Sequence, residues 1–266
     1  MLNLSIIIPA YNDIRLKECL QSIDEDVEIV IVLNGATEEV KKIAYSYNSV
    51  VKIFELSEPN LAKAYNYGIE NSTKDNVLIM DSDCIFISKT IIKLYKLLEK
   101  APLSKGRILF LFNSKLGKII ARFRHIHTNG KNAYSPPLAF RKEILKDIGN
   151  YYFDEKLVWT EDYDFNIRVS SANLLILYDS TARITHPELS LKEDLKSSFN
   201  YGTGHSRGVF FNKKGYNVPK KDIKIFASAF KSIGKKYGYA TAIYFLIWQI
   251  AFLVGYKKEN SKLRGK

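Results

Sequence analysis

The sequence predicts an α/β fold, a mostly parallel sheet flanked by helices, with a helical segment appended at its C-terminal end. Three observations predict it. Short apolar runs recur at 4–8, 28–33, 50–56 and 77–80. Segments of helical length, 15–22, 38–47 and 61–71, fall between them, so the first hundred residues read strand, helix, strand, helix. The last sixty residues then turn from mixed charge to basic and apolar. Such alternation implies strands covered by helices on both faces, and sheets of that kind bind ligands beyond the carboxyl ends of their strands.

Each strand end brings polar chemistry to that rim. The first runs into "IIPAYND", where Pro9 removes a ladder donor and Tyr11 and Asn12 open the loop. A tyrosine there offers its ring to a flat partner. The second ends in "IVLNGATEE". Its Asn34-Gly35 pair makes a tight turn, and the Asn34 amide is able to meet a hydrogen-bonding edge. After the third comes "EPNLAKAYNYGIENS", which carries Asn60, Lys63 and Asn66 toward the rim. Asn60 serves equally well as a helix N-cap, and Lys63 as an ordinary exposed lysine. The fourth, "VLIMDSDCIF", places Asp81 and Asp83 directly after an apolar run. Short acidic side chains at a strand end also make simple turns. The same spacing recurs at Asp24/Asp26 and Asp162/Asp164, so it is position that singles out 81 and 83.

With 266 residues, 46% of them apolar, the chain can bury one sizeable core with an appendage, read here as 1–210 and 211–266. A net charge of +12 suggests a nucleic-acid protein until it is resolved by region. Residues 1–204 hold 26 Lys+Arg against 26 Asp+Glu, and residues 205–266 hold 14 against 2. The body is neutral and no nucleic-acid partner is expected; the basic end either meets something anionic or is a solvated face. Cys19 and Cys84 lack metal-ligand spacing, which fits a reduced compartment. With a strand starting at Leu4, no signal peptide is expected. No G-x-G-x-x-G follows the first strand, which argues against a dinucleotide dehydrogenase. The Pro9-Ala10-Tyr11-Asn12-Asp13 loop is unlike the glycine-rich basic loop of a sugar-nucleotide nucleotidyltransferase.

Four blocks, "SIIIPAYN", "EIVIVLNG", "NLAKAYNYGIENSTKDNVLIMDSD" and "IGNYYFDEKLVWTEDYDFNIRV", stand in this order over roughly residues 4–186. Together they resemble the successive motifs of family 2 glycosyltransferases with the GT-A fold. The resemblance implies an inverting transfer of a sugar from a nucleotide donor, aided by a manganese or magnesium ion. It makes Asp83 a metal ligand and sets His186, in "RITHPELS", beside metal and diphosphate, although a lone histidine also packs as a plain core or surface residue. It assigns Pro9, Tyr11, Asn12, Asn34, Asn60, Lys63, Asn66 and Asp81 to the nucleotide sugar. Asn34 stands where an aspartate is usual, which leaves the base open, with UDP and dTDP sugars the first choices. Tyr65 stands where many members have arginine, and Lys63 is a candidate for the missing charge. Asp162 takes the role of general base, with Glu161 next in line. Acidic residues in the first turn of a helix capped by Thr160 are also favoured by the dipole alone. Asp164 and Arg168 are spaced for an i,i+4 surface pair.

The stretch "YGTGHSRG", 201–208, reads as a mobile loop bringing His205 and Arg207 over the diphosphate, or as an inert connector. Residues 222–236 place Ile223, Phe226, Phe230 and Ile233 along one side of an amphipathic helix. Residues 237–256 then carry no charge and are framed by Lys235-Lys236 and Lys257-Lys258. That length would span a bilayer, yet basic flanks at both ends favour peripheral, monotopic attachment to an anionic surface. A cytoplasmic enzyme at the inner face of the cell membrane is expected, with a glycan or lipid-linked acceptor. A core helix hidden inside the domain or in a dimer interface is the alternative for this segment, and a non-catalytic membrane or nucleic-acid binder the alternative for the whole.

Overall fold

The computed structural model describes residues 1–219 and 223–265. Asp222, where the amphipathic segment is expected to begin, lies outside them, as does the side chain of Ile223. The chain forms two compact units, Met1–Leu109 with Asn129–His186, and Phe110–Thr128 with Pro187–Lys266. This division differs from an expected boundary at 210. One helix inserted between strands and a long helix before 210 both belong to the second unit.

In the first unit, β1 (Leu4–Ala10), β2 (Glu28–Asn34), β3 (Lys52–Leu56) and β4 (Asn76–Ile79) are parallel, in the order β3-β2-β1-β4. Helices α1 (Leu16–Gln21), α2 (Glu38–Tyr45) and α3 (Leu61–Glu70) connect them. All seven residues of β1 are buried, as a strand covered on both faces requires. The strand runs through Pro9, which faces Val32, and ends one residue later at Ala10. Ile7 lies opposite both Val30 and Ile79, so the loops after the parallel strands emerge along one edge.

Beyond β4 the sheet is mixed. β5 (Ile85–Phe86), β6 (Leu103–Phe110), β7 (Leu138–Arg141) and β8 (Ile176–His186) extend the order to β4-β7-β6-β8-β5. β7 is antiparallel to both β4 and β6, and β5 to β8. The parallel expectation therefore describes the first four strands, where a crossover helix joins each strand to the next. After residue 80 that regular alternation stops. α4 (Thr90–Leu98) and α6 (Glu161–Ser171) complete the unit, and α3 and α6 share one core through Tyr65, Phe140, Phe153 and Phe165.

The second unit is helical: α5 (Lys115–Thr128), α7 (Leu191–Phe210), α8 (Ile223–Tyr237) and α9 (Tyr239–Arg264). α7 opens on a capping box between Ser190 and Glu193 and runs unbroken through 201–208, which corrects the reading of that stretch as a loop. Glycines of α7 and α9 serve their close packing: a Cβ on Gly202 of α7 would lie 2.0 Å from the Phe252 carbonyl oxygen, and one on Gly255 of α9 2.0 Å from that of Phe199. Gly238, at φ +93, separates α8 from α9 in a conformation open to glycine. Ile120 and Phe123 of α5 pack on Tyr244, Phe245 and Trp248 of α9.

Candidate active site

The rim of the first unit is built where β4 ends. Met80 N–H still bonds Ile7 O, and Cys84 N–H closes a turn onto Asp81 O. This turn sets Asp81 and Asp83 at the carboxyl edge. Tyr65, buried in α3, donates its hydroxyl to Asp81 Oδ1 at 2.9 Å. Burial, then the charge of Asp83, pushes Asp81 above the ordinary carboxylate range. Asp83 Oδ2 lies 3.4 Å from His186 Nε2, the last residue of β8. Donor atoms of Asp83, Cys84 and His186 all fall within 4.8 Å of one another. The Cys84 thiol is held protonated by burial and by the neighbouring carboxylates, and lies 3.4 Å from Asp83 Oδ1. Arg15 chelates Asp13 in the adjoining loop, and its hydrogen bonds hold the Asp13 carboxyl below its usual range.

The three asparagines of the rim perform backbone work. Asn34 Oδ1 accepts the Asn60 N–H at 2.7 Å, Asn60 Oδ1 caps α3 through the Lys63 N–H, and Asn60 Nδ2 donates to Glu155 O. Asn66 both donates to Phe153 O at 2.8 Å and accepts from Phe153 N–H at 3.0 Å. Asn60 and Asn66 thus clamp the segment 153–155 against α3. Asn34 Nδ2 has no partner among the described residues, so the side that Asn34 can offer a base is a donor. Tyr11, 48% exposed, and Asn12 and Lys63, also exposed, have side chains open to solvent, whereas Pro9 is buried in β1.

The clamped segment leads to the second acidic block. Trp159 takes φ +74, outside the usual range for a bulky residue, and α6 begins two residues later. Thr160 occupies the N-cap position but its side chain makes no capping bond, so the expected cap is a matter of backbone only. The Asp162 carboxylate lies near the backbone N–H groups of Tyr163, Ser135 and Asp162 itself, and keeps a partial opening to solvent. Burial raises its pKa; these N–H groups and the Lys105 charge lower it. Glu161 is buried, its Oε2 has no hydrogen-bond partner, and burial followed by the charge of Asp162 raises its pKa still further. One acid is thus kept as an acceptor and its neighbour is pushed toward the neutral form.

Asp164 and Arg168 do pair, at 2.7 Å, but not on the surface. Both side chains are largely buried, and the guanidinium also reaches the carbonyls of Ile148, Tyr151 and Tyr152 and lies 3.9 Å from the Tyr151 ring centre. The pair fastens α6 to the segment before it.

Arg207 and His205 are residues of α7, in the second unit. Arg207 donates to Glu259 at 2.8 Å, and His205 Nε2 lies 2.8 Å from Asn217 O among Tyr216, Phe252 and Tyr256, all within the second unit. Both are helix residues with partners there, rather than members of a loop.

Two residues escaped the sequence reading. Tyr65 is visible in it only as a departure from a pattern. Lys105 is fully buried in β6 and donates to the carbonyls of Tyr134 and Pro136, the latter at 2.7 Å. The signal available was a single lysine inside a strand that otherwise buries its first residues.

Comparison with known proteins follows the same lines. The family model described as Glycosyl transferase family 2 matches residues 5–148. The amylovoran biosynthesis glycosyltransferase AmsE of Erwinia amylovora is 25% identical over 264 residues, covering 91% of both chains. An uncharacterized glycosyltransferase of Rickettsia typhi is 27% identical over 196 residues, and there the match spans 63% of this chain and 59% of the relative. Among solved structures, residues 1–349 of S. aureus TarS in complex with UDP superpose with a TM-score of 0.57 at 15% identity, over 99% of this chain and 92% of that one. The same protein has been solved with UDP-GlcNAc.

Proposed function

The chain belongs to glycosyl transferase family 2 and is a glycosyltransferase; from that premise we propose that it transfers a sugar with inversion from a UDP or dTDP sugar to a glycan or lipid-linked acceptor. One observation carries the reading: an aspartate in the first turn of α6, partly open to solvent with backbone N–H groups beside it, next to the buried acid Glu161, whose Oε2 has no hydrogen-bond partner among the described residues. Asp162 takes the proton of the acceptor hydroxyl as that hydroxyl attacks the anomeric carbon from the face opposite the diphosphate. Glu161, kept neutral, adds no second charge to repel the incoming oxygen. Tyr65 holds Asp81 for the ribose side. Exposed Tyr11 and the Asn34 amide donor receive the base, and the UDP complexes of the TarS structure support a uridine donor.

A manganese or magnesium ion fits this rim on the chemistry of its donors. Asp83 and His186 offer a carboxylate and an imidazole, and the protonated Cys84 thiol is no ligand for a hard cation. When bound, such an ion offsets the charge gathering on the departing diphosphate.

The second unit supports peripheral attachment at the inner membrane face. α9 is long and apolar enough to cross a bilayer, with 39% of its apolar window buried. Tyr239, Ile243, Ile247, Ile250 and Val254 are exposed at helical spacing along it, and Lys262 and Arg264 lie in its last turn. An apolar stripe with basic residues beside it suits an anionic lipid surface.

Hydrolysis of a panel of UDP, dTDP and GDP sugars, with manganese and with chelator, tests the donor. A manganese-dependent UDP or dTDP sugar is expected. Hydrolysis indifferent to chelator removes the metal from the scheme, and turnover of GDP sugars alone overturns the base assignment.

A further inference from the structure

A hard cation uses two donors of the rim, Asp83 and His186, and leaves a third beside them. The Cys84 Sγ donates to Asp83 Oδ1 at 3.4 Å, Asp83 Oδ2 lies 3.4 Å from His186 Nε2, and donor atoms of the three residues all fall within 4.8 Å of one another. The backbone sets this arrangement. Ile85 of β5 faces Thr185 of β8 in antiparallel register, which continues to Cys84 opposite His186, while the turn closed by Cys84 N–H on Asp81 O holds Asp83 next to both. The spacing suits one kind of ion. With bonds of about 2.3 Å to sulfur and about 2.0–2.2 Å to nitrogen or oxygen, neighbouring donors of a tetrahedral zinc stand about 3.3–3.6 Å apart.

We propose that Asp83, Cys84 and His186 form a thiolate site for zinc or a cation of like softness, and that such an ion excludes manganese from the rim and inhibits the transferase. The second half rests on the reading of Asp83 and His186 as holders of the catalytic metal. Softness decides which donors are used: a thiolate selects zinc over manganese or magnesium, and zinc already stands above manganese in affinity for a common set of ligands. As zinc binds, the S–H bond breaks, its proton leaves to solvent and an S–Zn bond forms, with no change of oxidation state. Asp83 and His186 keep 25% and 15% of their side chains exposed, which gives the ion its way in, whereas Cys84 is wholly buried. Inhibition follows from the coordination number. Four-coordinate zinc with three protein donors keeps one open position, whereas a six-coordinate ion held by two keeps several for diphosphate oxygens.

The test titrates cobalt into the reduced full-length protein, since cobalt accepts the donor set of zinc and absorbs light where zinc does not. A thiolate-to-cobalt band in the near ultraviolet is expected, together with the strong visible absorption of four-coordinate cobalt, and added zinc erases both. The chain has two cysteines, so Cys19→Ala, which keeps the band, assigns the thiolate to Cys84 even where variants of Cys84 do not fold. A folded Cys84→Ser protein loses it. In a second measurement, manganese bound with UDP is released by zinc and read as the resonance of the free ion. The zinc needed rises more than about a hundredfold in Cys84→Ser, beyond what loss of a mere supporting group costs a metal site. A wild-type spectrum without the thiolate band overturns the proposal with no variant required. So does a band that vanishes in folded Cys19→Ala or survives Cys84→Ser. A band assigned to Cys84 while zinc leaves manganese and UDP in place supports the thiolate site and overturns instead the placing of manganese on Asp83 and His186.

Discussion

Asp162 and Asp194 occupy matching places in the two units, each in the first turn of a helix. The molecule treats them in opposite ways. Asp194 has no exposed surface, and both of its oxygens are taken, one by Arg124 and the other by the Tyr244 hydroxyl. Asp162 has backbone N–H groups beside its carboxylate and keeps a face toward solvent. A carboxylate whose two oxygens are taken by an arginine and a tyrosine is committed to holding helices together. One without an arginine partner, its pKa raised by burial, is left able to take up a proton. The helix start is common to both, so the difference lies in what the rest of the chain brings to it.

The comparison breaks most plainly at Asp162. Asp162→Asn is expected to lower transfer by about 10²–10⁴ with little change in donor affinity or melting temperature, as loss of a general base does; near-normal transfer would move the base to Glu161. Asp194→Ala should act on folding instead, costing about 3–5 kcal/mol because it leaves the Arg124 charge buried and unpaired, and denaturant melts will read it. Asp164→Asn sharpens the contrast within α6. Its pairing with Arg168 is buried, so a loss of about 1–3 kcal/mol in stability is expected, larger than any exposed helix pair would give, with the transfer rate per folded molecule kept. Ile250→Glu, on the exposed side of α9, should weaken flotation with anionic liposomes about tenfold and leave the melt unchanged; an unaltered flotation would mean that this face does not meet lipid.

The smallest effect concerns pH. Glu161 titrates above its unfolded value, so its contribution to stability is full below the ordinary glutamate range and is lost as pH rises through the raised value. Glu161→Gln should therefore flatten the fall in melting temperature between pH 5 and pH 9, by about 2–4 °C for each kcal/mol that the ionised glutamate costs the folded chain. Thermal melts of both proteins across that range will read the difference.

Much of the first unit was legible because its signals are local. A strand that ends in two aspartates says where its carboxyl edge is, and the parallel register carries Tyr11 and Asn34 to the same edge. The family pattern added Asp162. Lys105 was not legible, because its meaning depends on a peptide about thirty residues later that no periodicity connects to it. Asn60 and Asn66 could be placed on the rim, but not given their work of holding 153–155, for the same reason. The stretch 201–208 failed differently. Three glycines in eight residues read as a loop by propensity, and the close approach of α9 to α7 at Gly202 overrides that preference.

The chain has two tryptophans, one in each unit, and their surroundings differ enough to be told apart by light. Trp159 is 41% exposed three residues before Asp162, while Trp248 is 8% exposed and stacked between the rings of His127 and Phe252. Emission from Trp248 will lie to the blue and resist acrylamide; emission from Trp159 will lie to the red and be quenched. Red-edge intensity then follows occupancy of the rim as ligands are added, and the blue component follows the helical unit as it meets detergent or vesicles, both in the unlabelled wild-type protein.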